Sequence, residues 1–193
     1  MTDKAEIRSR LRAQRRALTG AQQEDAAQAV LARLRALDAY REARCVMAYA
    51  AARGELSLAP VIADLLGRGC VLALPRCEAP GIMTARQVAS KDQLCAGAFG
   101  LDEPLPACRM IEPQEIDMIL VPGAAFGRDG GRIGQGGGYY DRFLPDTRAL
   151  RVGICHEFAL MARVPACAHD QRMDMVITPQ ETAIISRCRR KHE

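Results

Sequence analysis

Residues 45–75, CVMAYAAARGELSLAPVIADLLGRGCVLALP, decide the fold. CVMAYA at 45–50 and CVLALP at 70–75 are apolar runs of strand length, and LAPVIADLLGRG at 58–69 between them reads as a helix. Strand, helix, strand in that order predicts parallel pairing, because the intervening helix carries the chain back to its starting edge. The same kind of run recurs downstream as IDMILVP (116–122), LRVGIC (150–155) and DMVIT (174–178). The expectation is an α/β chain with a largely parallel sheet and helices on both faces. In such a sheet ligands bind beyond the carboxyl ends of the strands.

Upstream of this pattern, Asp3 followed by Glu6 reads as a capped helix start, and the helix is expected to run to about Leu18. Ile7, Leu11 and Leu18 mark a packing stripe interrupted by Gln14, while Lys4, Arg8, Arg12 and Arg15 read as a separate cationic stripe. Thr19 with Gln22 opens a second amphipathic helix through Ala26, Val30, Leu31, Leu34 and Leu37.

Composition narrows the class. With 193 residues, 49% of them hydrophobic, the chain is long enough for one substantial core, and a single domain over 1–193 is expected. No apolar run is long enough to span a bilayer and the amino-terminal residues lack the apolar centre of a signal peptide, so a cytosolic protein is expected. Eight scattered cysteines without a CxxC pair read as reduced thiols, Cys45 and Cys155 as small core residues. A net charge of +4 and few aromatics beside the basic residues fit a small polyanion better than a nucleic acid. Neither nucleic-acid nor membrane partners are expected, and the tail RCRRKHE reads as a solvated end.

The segment 123–141, GAAFGRDGGRIGQGGGYYD, follows the third apolar run and holds eight of the chain's 16 glycines. That density argues against helix or strand and for a backbone concavity whose N–H groups converge on phosphate oxygens, reinforced if a helix opens near Gly138. Arg132 supplies a planar donor fork and Asp141 an acid able to meet a magnesium ion on a phosphate chain. A surface loop is the plain alternative; the spacing matches neither the P-loop nor the dinucleotide fingerprint.

VPGAAFGRDGGRIGQGGGYYDRFL resembles the signature loop of the 5-formyltetrahydrofolate cyclo-ligase family. KAEIRSRLRAQRRAL at 4–18, LPRC at 74–77, GLDEP at 100–104 and AHDQRMDMVIT at 168–178 resemble that family's other blocks in order. The resemblance implies an α/β three-layer sandwich related to sugar-phosphate isomerases and CoA transferases. It also implies a monomer that uses ATP and magnesium to convert 5-formyltetrahydrofolate into 5,10-methenyltetrahydrofolate, ADP and phosphate.

Carried over by position, Lys4 and Arg8 match a K-x-x-x-R that binds ATP phosphates, one helical turn apart on one face. Arg132, Ile133, Gly134, Gln135, Gly136, Gly137, Gly138, Tyr139 and Tyr140 match the nucleotide loop, with Arg132 the residue that stabilises the phosphoryl group. Gln135 to Tyr139 also border the folate, together with Ala50 and with Glu55, whose carboxylate suits the adjacent N–H donors of a pterin edge. Asp141 and Asp170 match magnesium-associated acids. Gln135 departs from the aromatic or basic residue of many relatives, and no proline stands near Ala51. His156 and His169 are read as structural or exposed, and three histidines without an acid and cysteine grouping make zinc an unsuitable reading. The competing readings are another ATP- or sugar-phosphate-using enzyme of related fold, a binding protein without turnover, and a basic RNA-binding module.

Overall fold

A computed structural model describes residues 3–52, 54–97, 100–167 and 169–185; the tail read as solvated, with Cys188, lies outside them. Three helices come first, α1 (Lys4–Arg16), α2 (Gly20–Arg35) and α3 (Asp38–Glu42), followed by β1 (Cys45–Met47) and α4 (Ala59–Gly67). Next are β2 (Val71–Ala79), β3 (Ile82–Gln87), β4 (Leu94–Ala96), β5 (Asp102–Pro104), β6 (Met110–Ile111) and β7 (Met118–Val121). The carboxyl-terminal part contains β8 (Ala125–Gly127), β9 (Arg132–Ile133), α5 (Tyr139–Phe143), β10 (Leu150–Ile154), β11 (Leu160–Met161), β12 (Met175–Ile177) and β13 (Thr182–Ile184).

The main sheet has eight strands in the order β13-β12-β10-β7-β1-β2-β3-β6. The five apolar runs are β1, β2, β7, β10 and β12, and each pairs in parallel with its neighbour among them. Both edges are antiparallel: β13 on β12 at one side, β3 on β2 and β6 on β3 at the other. The turn between β2 and β3 is Pro80-Gly81, with Gly81 at φ 76, a conformation glycine adopts without Cβ strain. Between β1 and β7 the winding reverses, since β1 leads on to β2 at one side and receives β7 at the other. Crevices open at such a switch point.

Alternate residues of the parallel strands feed two cores. Val46, Leu72, Leu120, Val152 and Ile177 pack with Val30, Leu31 and Leu34 of α2, Tyr40 of α3, and Val61 and Leu65 of α4. Met47, Ala73, Ile119, Val121 and Val176 face the other way, against Ile7 and Leu11 of α1, Phe126 of β8 and Phe143 of α5. Full burial of each such aliphatic side chain contributes about 1.5–3 kcal/mol, which is why strands buried on both faces read as unbroken apolar runs. The second covering layer is only partly helical: α1 and α5 share it with a small sheet ordered β11-β8-β9. Two short strands thus lie inside the glycine-rich segment, which is less loop-like than its composition suggests.

The two helix starts differ. Thr19 and Gln22 form the expected reciprocal capping box. Asp3 occupies the cap position of α1 but its side chain makes no capping bond, and α1 ends at Arg16 rather than near Leu18. Among the described residues no helix is long and apolar enough to cross a membrane, and the seven described cysteines are free, with Cys45 and Cys155 buried as expected.

Gly130, between β8 and β9, has φ +85, and a Cβ there would stand 2.8 Å from the Met173 carbonyl oxygen. The Gly130 carbonyl also accepts from the Met173 amide at 2.9 Å, so neither segment can retreat freely. Gly130→Ala is expected to cost about 1–3 kcal/mol and to lower the thermal midpoint by several degrees; an unchanged melting curve would show that the loop adapts.

Candidate functional site

A cleft of about 650 Å³ opens at the carboxyl ends of β1 and β7, where Tyr49, Ala50, Ala52 and Glu55 face Pro122, Arg132 and the run 134–138. Lys4 and Arg8 of α1 form one rim, and Pro75, Cys77, Met83 and Glu103 from the β2–β3 hairpin and β5 form another. Leu101, Asp102, Tyr139, Tyr140, Asp141, Arg142, His169 and Asp170 complete the lining. Of the sequence-predicted residues only Ile133 stays away. It is fully buried in the second core, and its carbonyl accepts the Ala124 amide at 2.6 Å, which ties the end of β9 to the chain leading into β8.

Lys4, Arg8, Glu55, Arg132, Asp141, Arg142 and Asp170 in the cleft are each held by a partner. Arg132 is buried, its Nη2 2.8 Å from Asp141 Oδ1 and its Nη1 3.3 Å from the Pro122 carbonyl oxygen, with its guanidinium 5.6 Å from the centre of the Tyr140 ring. Two donors there, Arg132 Nε and the Tyr140 hydroxyl, are buried without a hydrogen-bond partner among the described residues, an expense that folded proteins accept at few positions. Lys4 Nζ lies 2.6 Å from Asp170 Oδ2 and donates to Cys167 Sγ at 3.4 Å. Burial works against charge on both, but the hydrogen bond and the opposite charge prevail, raising the pKa of Lys4 and lowering that of Asp170. Arg8 Nε donates to the Gly134 carbonyl at 2.8 Å, tying α1 to the glycine run.

At the far wall Gln135 Nε2 donates to Glu55 Oε1 at 2.9 Å, and Glu55 Oε2 accepts the Ala52 amide at 3.1 Å. The carboxylate is thereby fixed in the mouth of the cleft. Gly136 and Gly138 have φ 105 and 69, and Gly138 stands immediately before α5, so the expected helix opening exists but is only five residues long. Arg142 clamps this turn by donating to the Gly81 and Gly137 carbonyls at 2.7 and 2.6 Å. Tyr139 and Tyr140 both line the cleft and both pack on the second core.

Asp141 and Asp170 come close through one peptide, since Asp141 Oδ1 accepts the Gln171 amide at 3.3 Å. Among the described residues no group of three or more His, Cys, Asp or Glu side chains is arranged to hold a metal ion. Burial, with the Glu103 hydrogen bond next, pushes the Cys77 thiol up to about 11, so it is not a nucleophile at neutral pH. His169 is exposed, and His156 is buried and stacked on Phe158 at 5.3 Å, away from the cleft lining.

Sequence reasoning missed Arg15. Instead of sharing a solvated cationic face it is buried, and its Nη2 donates to the Gly123 and Ala124 carbonyls at 2.9 and 2.5 Å. The signal was present: four residues beyond Leu11, position 15 falls on the apolar face that Ile7 and Leu11 define. Arg15 pins α1 to the chain just after β7, which holds Lys4 and Arg8 over the cleft.

Residues 1–179 match the profile of the 5-formyltetrahydrofolate cyclo-ligase family. The 5-formyltetrahydrofolate cyclo-ligase of Mycolicibacterium smegmatis is 33% identical over 191 residues, covering 95% of this chain and 97% of its own. That of Escherichia coli K12 is 28% identical over 177 residues, covering 89% and 97%. The NMR structure of Aquifex aeolicus 5,10-methenyltetrahydrofolate synthetase matches with a TM-score of 0.85 at 29% identity, over 98% of this chain and 99% of that one. A methenyltetrahydrofolate synthetase from Mycoplasma pneumoniae shares the fold, with a TM-score of 0.76 at 20% identity over 92% and 99% of the two chains.

Arg15→Met keeps the apolar stem and leaves two carbonyls without their donor, so urea unfolding should register a loss of about 1–3 kcal/mol; no loss would mean that water replaces the guanidinium. His156 supplies a pH signature. Burial, with the nearby Arg15 charge, lowers its pKa, so below its unfolded value of about 6.5 the unfolded chain takes up a proton that the native state refuses. Stability therefore falls as pH drops through that value and is level above it. His156→Gln should lose less stability than the parent between about pH 7.5 and about pH 5.5; equal losses would show that the histidine is protonated in place.

Proposed function

The chain belongs to the 5-formyltetrahydrofolate cyclo-ligase family, and from that premise we propose that this cleft carries out the ATP-dependent closure of 5-formyltetrahydrofolate to 5,10-methenyltetrahydrofolate. The observation that carries the reading is the meeting of Lys4 and Arg8 from α1 with Arg132 around the run 134–138, beside the fixed carboxylate of Glu55.

A formamide carbon is a poor electrophile because nitrogen donates its lone pair into the carbonyl. Transfer of the terminal phosphoryl group of ATP to the formyl oxygen breaks the bond between that phosphorus and its bridging oxygen, releases ADP, and turns the formyl oxygen into a leaving group. N10 of the folate then attacks the same carbon, the C–O bond breaks with departure of phosphate, and N10 loses its proton. Such chemistry needs alignment and charge neutralisation rather than a covalent nucleophile.

In this reading Lys4 and Arg8 hold the phosphate chain, and Arg132 stabilises the phosphoryl group in transit. The backbone from Gly134 to Gly138 lines the nucleotide, and Tyr139 and Tyr140 wall it. Glu55 accepts the paired donors of the pterin edge, with Ala50 and Gln135 alongside. Asp141 and Asp170 would hold a magnesium ion, Asp141 through Oδ2, since its Oδ1 meets Arg132, and Asp170 through Oδ1, which lies 3.9 Å from His169 Nε2 while its Oδ2 meets Lys4. Such an ion supplies charge neutralisation on the phosphate oxygens. The reading extends to a monomer working in a reducing compartment such as the cytosol, which free thiols suit, and to kinship with the sugar-phosphate isomerase and CoA transferase folds.

Purified protein with ATP and magnesium is expected to turn 5-formyltetrahydrofolate into a product absorbing in the near ultraviolet, and to do nothing without ATP. Arg132→Ala should lower kcat about 10²–10³-fold, and Glu55→Ala should raise the KM for folate while leaving that for ATP in place. Absence of product from the parent protein, with either ligand still bound, would replace this reading by one of binding without turnover.

A further inference from the structure

Gln135 is the one long side chain in the run 134–138, and the backbone on both sides of it is set. Arg8 Nε holds the Gly134 carbonyl at 2.8 Å, and Gly136 turns the chain at φ 105. Although exposed, the side chain crosses the mouth of the cleft and donates from Nε2 to Glu55 Oε1 at 2.9 Å. An ionised carboxylate only accepts, so Nε2 must face it and Oε1 of the same amide is directed elsewhere. Among the described residues nothing donates to that Oε1.

Glu55 is held on its own side as well. The Ala52 amide donates to Oε2 at 3.1 Å, and the Glu55 amide returns a bond to the Ala52 carbonyl at 2.8 Å, so carboxylate and turn form one unit. Each carboxylate oxygen thus receives one bond from the protein and keeps one lone pair for a ligand. With Gln135 Oε1 the mouth of the cleft offers three acceptors. Three is also the number of donor hydrogens on the amide and amine edge of a pterin, one on the ring nitrogen and two on the exocyclic amine.

We propose that Gln135 determines specificity for an unsubstituted exocyclic amine: Glu55 takes the ring N–H and one amine hydrogen, and Gln135 Oε1 takes the other. The proposal rests on the function argued above and deepens it. Its spacing is self-consistent. Where the Nε2 hydrogen that points away from Oε1 serves Glu55, the two acceptors stand about 5 Å apart, because N and O of a planar amide are separated by about 2.2 Å. An amine whose hydrogens diverge by about 120° reaches two acceptors at about 2.9 Å when they stand about 5 Å apart. The bond between Gln135 and Glu55 therefore closes a ring of hydrogen bonds around the amine nitrogen and leaves no room for a substituent on it.

The test compares 5-formyltetrahydrofolate with its 2-methylamino analogue, which retains one of the two amine hydrogens. A site built to accept a donor rejects a compound lacking it, since the acceptor is left unpaired. The parent protein should show a KM roughly 10–100-fold higher for the analogue, with the KM for ATP unchanged. Gln135→Met keeps the length of the side chain without the acceptor. In that variant the KM for the natural substrate should rise roughly tenfold, and the ratio between the two substrates should fall to within about threefold. The position is exposed, so the variant's melting curve should match that of the parent. If Gln135 only braced Glu55, both KM values would rise by the same factor, and an unchanged ratio therefore overturns the proposal. A natural-substrate KM that stays level in the variant also overturns it, since the methyl group is then excluded by bulk alone. A parent ratio near one does so without any variant and leaves the cyclo-ligase reading intact. Failure of the parent to convert 5-formyltetrahydrofolate removes instead the reading on which the proposal rests.

Discussion

The reversal of winding at β1 is the constraint from which the site follows. Because β1 pairs in parallel with β2 on one side and β7 on the other, the segments leaving the carboxyl ends of β1 and β7 must diverge. The gap between them is not covered by either crossover. The chain after β1 supplies Tyr49, Ala50 and Glu55 to one wall, and the chain after β7 supplies Pro122, Arg132 and the glycine run to the other. A cleft there requires only this topology, but its charge requires α1. A helix preceding every strand brings cations to the cleft because Ile7 and Leu11 bury into the core and Arg15 reaches the two carbonyls just past β7.

The electrostatics of the cleft are of one kind throughout. Lys4 meets Asp170, Arg132 meets Asp141, and Gln135 meets Glu55, and the first and last of these knit the walls across long separations in sequence. Pairing lowers the cost of concentrating cations in a partly buried space and fixes each side chain in one orientation before any ligand arrives. The pairs are also shareable. Lys4 has three donor hydrogens and each carboxylate two oxygens, so a polyanion and its counter-ion can be added without dismantling the contacts. Fixed, half-satisfied groups of this type suit phosphoryl chemistry, in which the protein must present charge in place rather than move it.

What could be read in the sequence, and what could not, divides along physical range. The five apolar runs became the five parallel strands because burial on both faces leaves an unmistakable composition. The Thr19–Gln22 box was legible because its partners are three residues apart. The antiparallel edges were not: β3, β6 and β13 are exposed on part of their surface and carry mixed residues, and what selects them is the neighbour they pair with. Only Pro80-Gly81 announced the β2–β3 hairpin locally. In the site, composition pointed to the glycine run, Arg132 and Asp141, and the family resemblance added Lys4, Arg8, Ala50, Glu55 and Asp170, whereas the wall from the β2–β3 hairpin and β5 carried no local signal; Ile133 was assigned by membership of a contiguous motif, and contiguity says nothing about which side of β9 a side chain occupies. Arg15 escaped because a charge on a helix suggests solvent until its place on the apolar face is weighed more heavily than its charge.

The burial of Arg15 also explains how one short helix can bring charge to the cleft. A helix that merely lay on the surface would expose its cations to water all round, where they attract little and select nothing. By sinking one guanidinium under the loop after β7, α1 is held at a depth at which Lys4 and Arg8 rise into the cleft. Gly54 then allows the loop after β1 to press against the same turn of helix, since a Cβ there would stand 3.2 Å from Arg15 Cβ. The cost is a buried charge with two carbonyls for company in place of a carboxylate. Burial works against that charge, and the carboxylate of Glu55 favours it through space rather than by contact. The residue that anchors α1 thus sets, by its two carbonyl partners, the depth at which the helix's other cations lie.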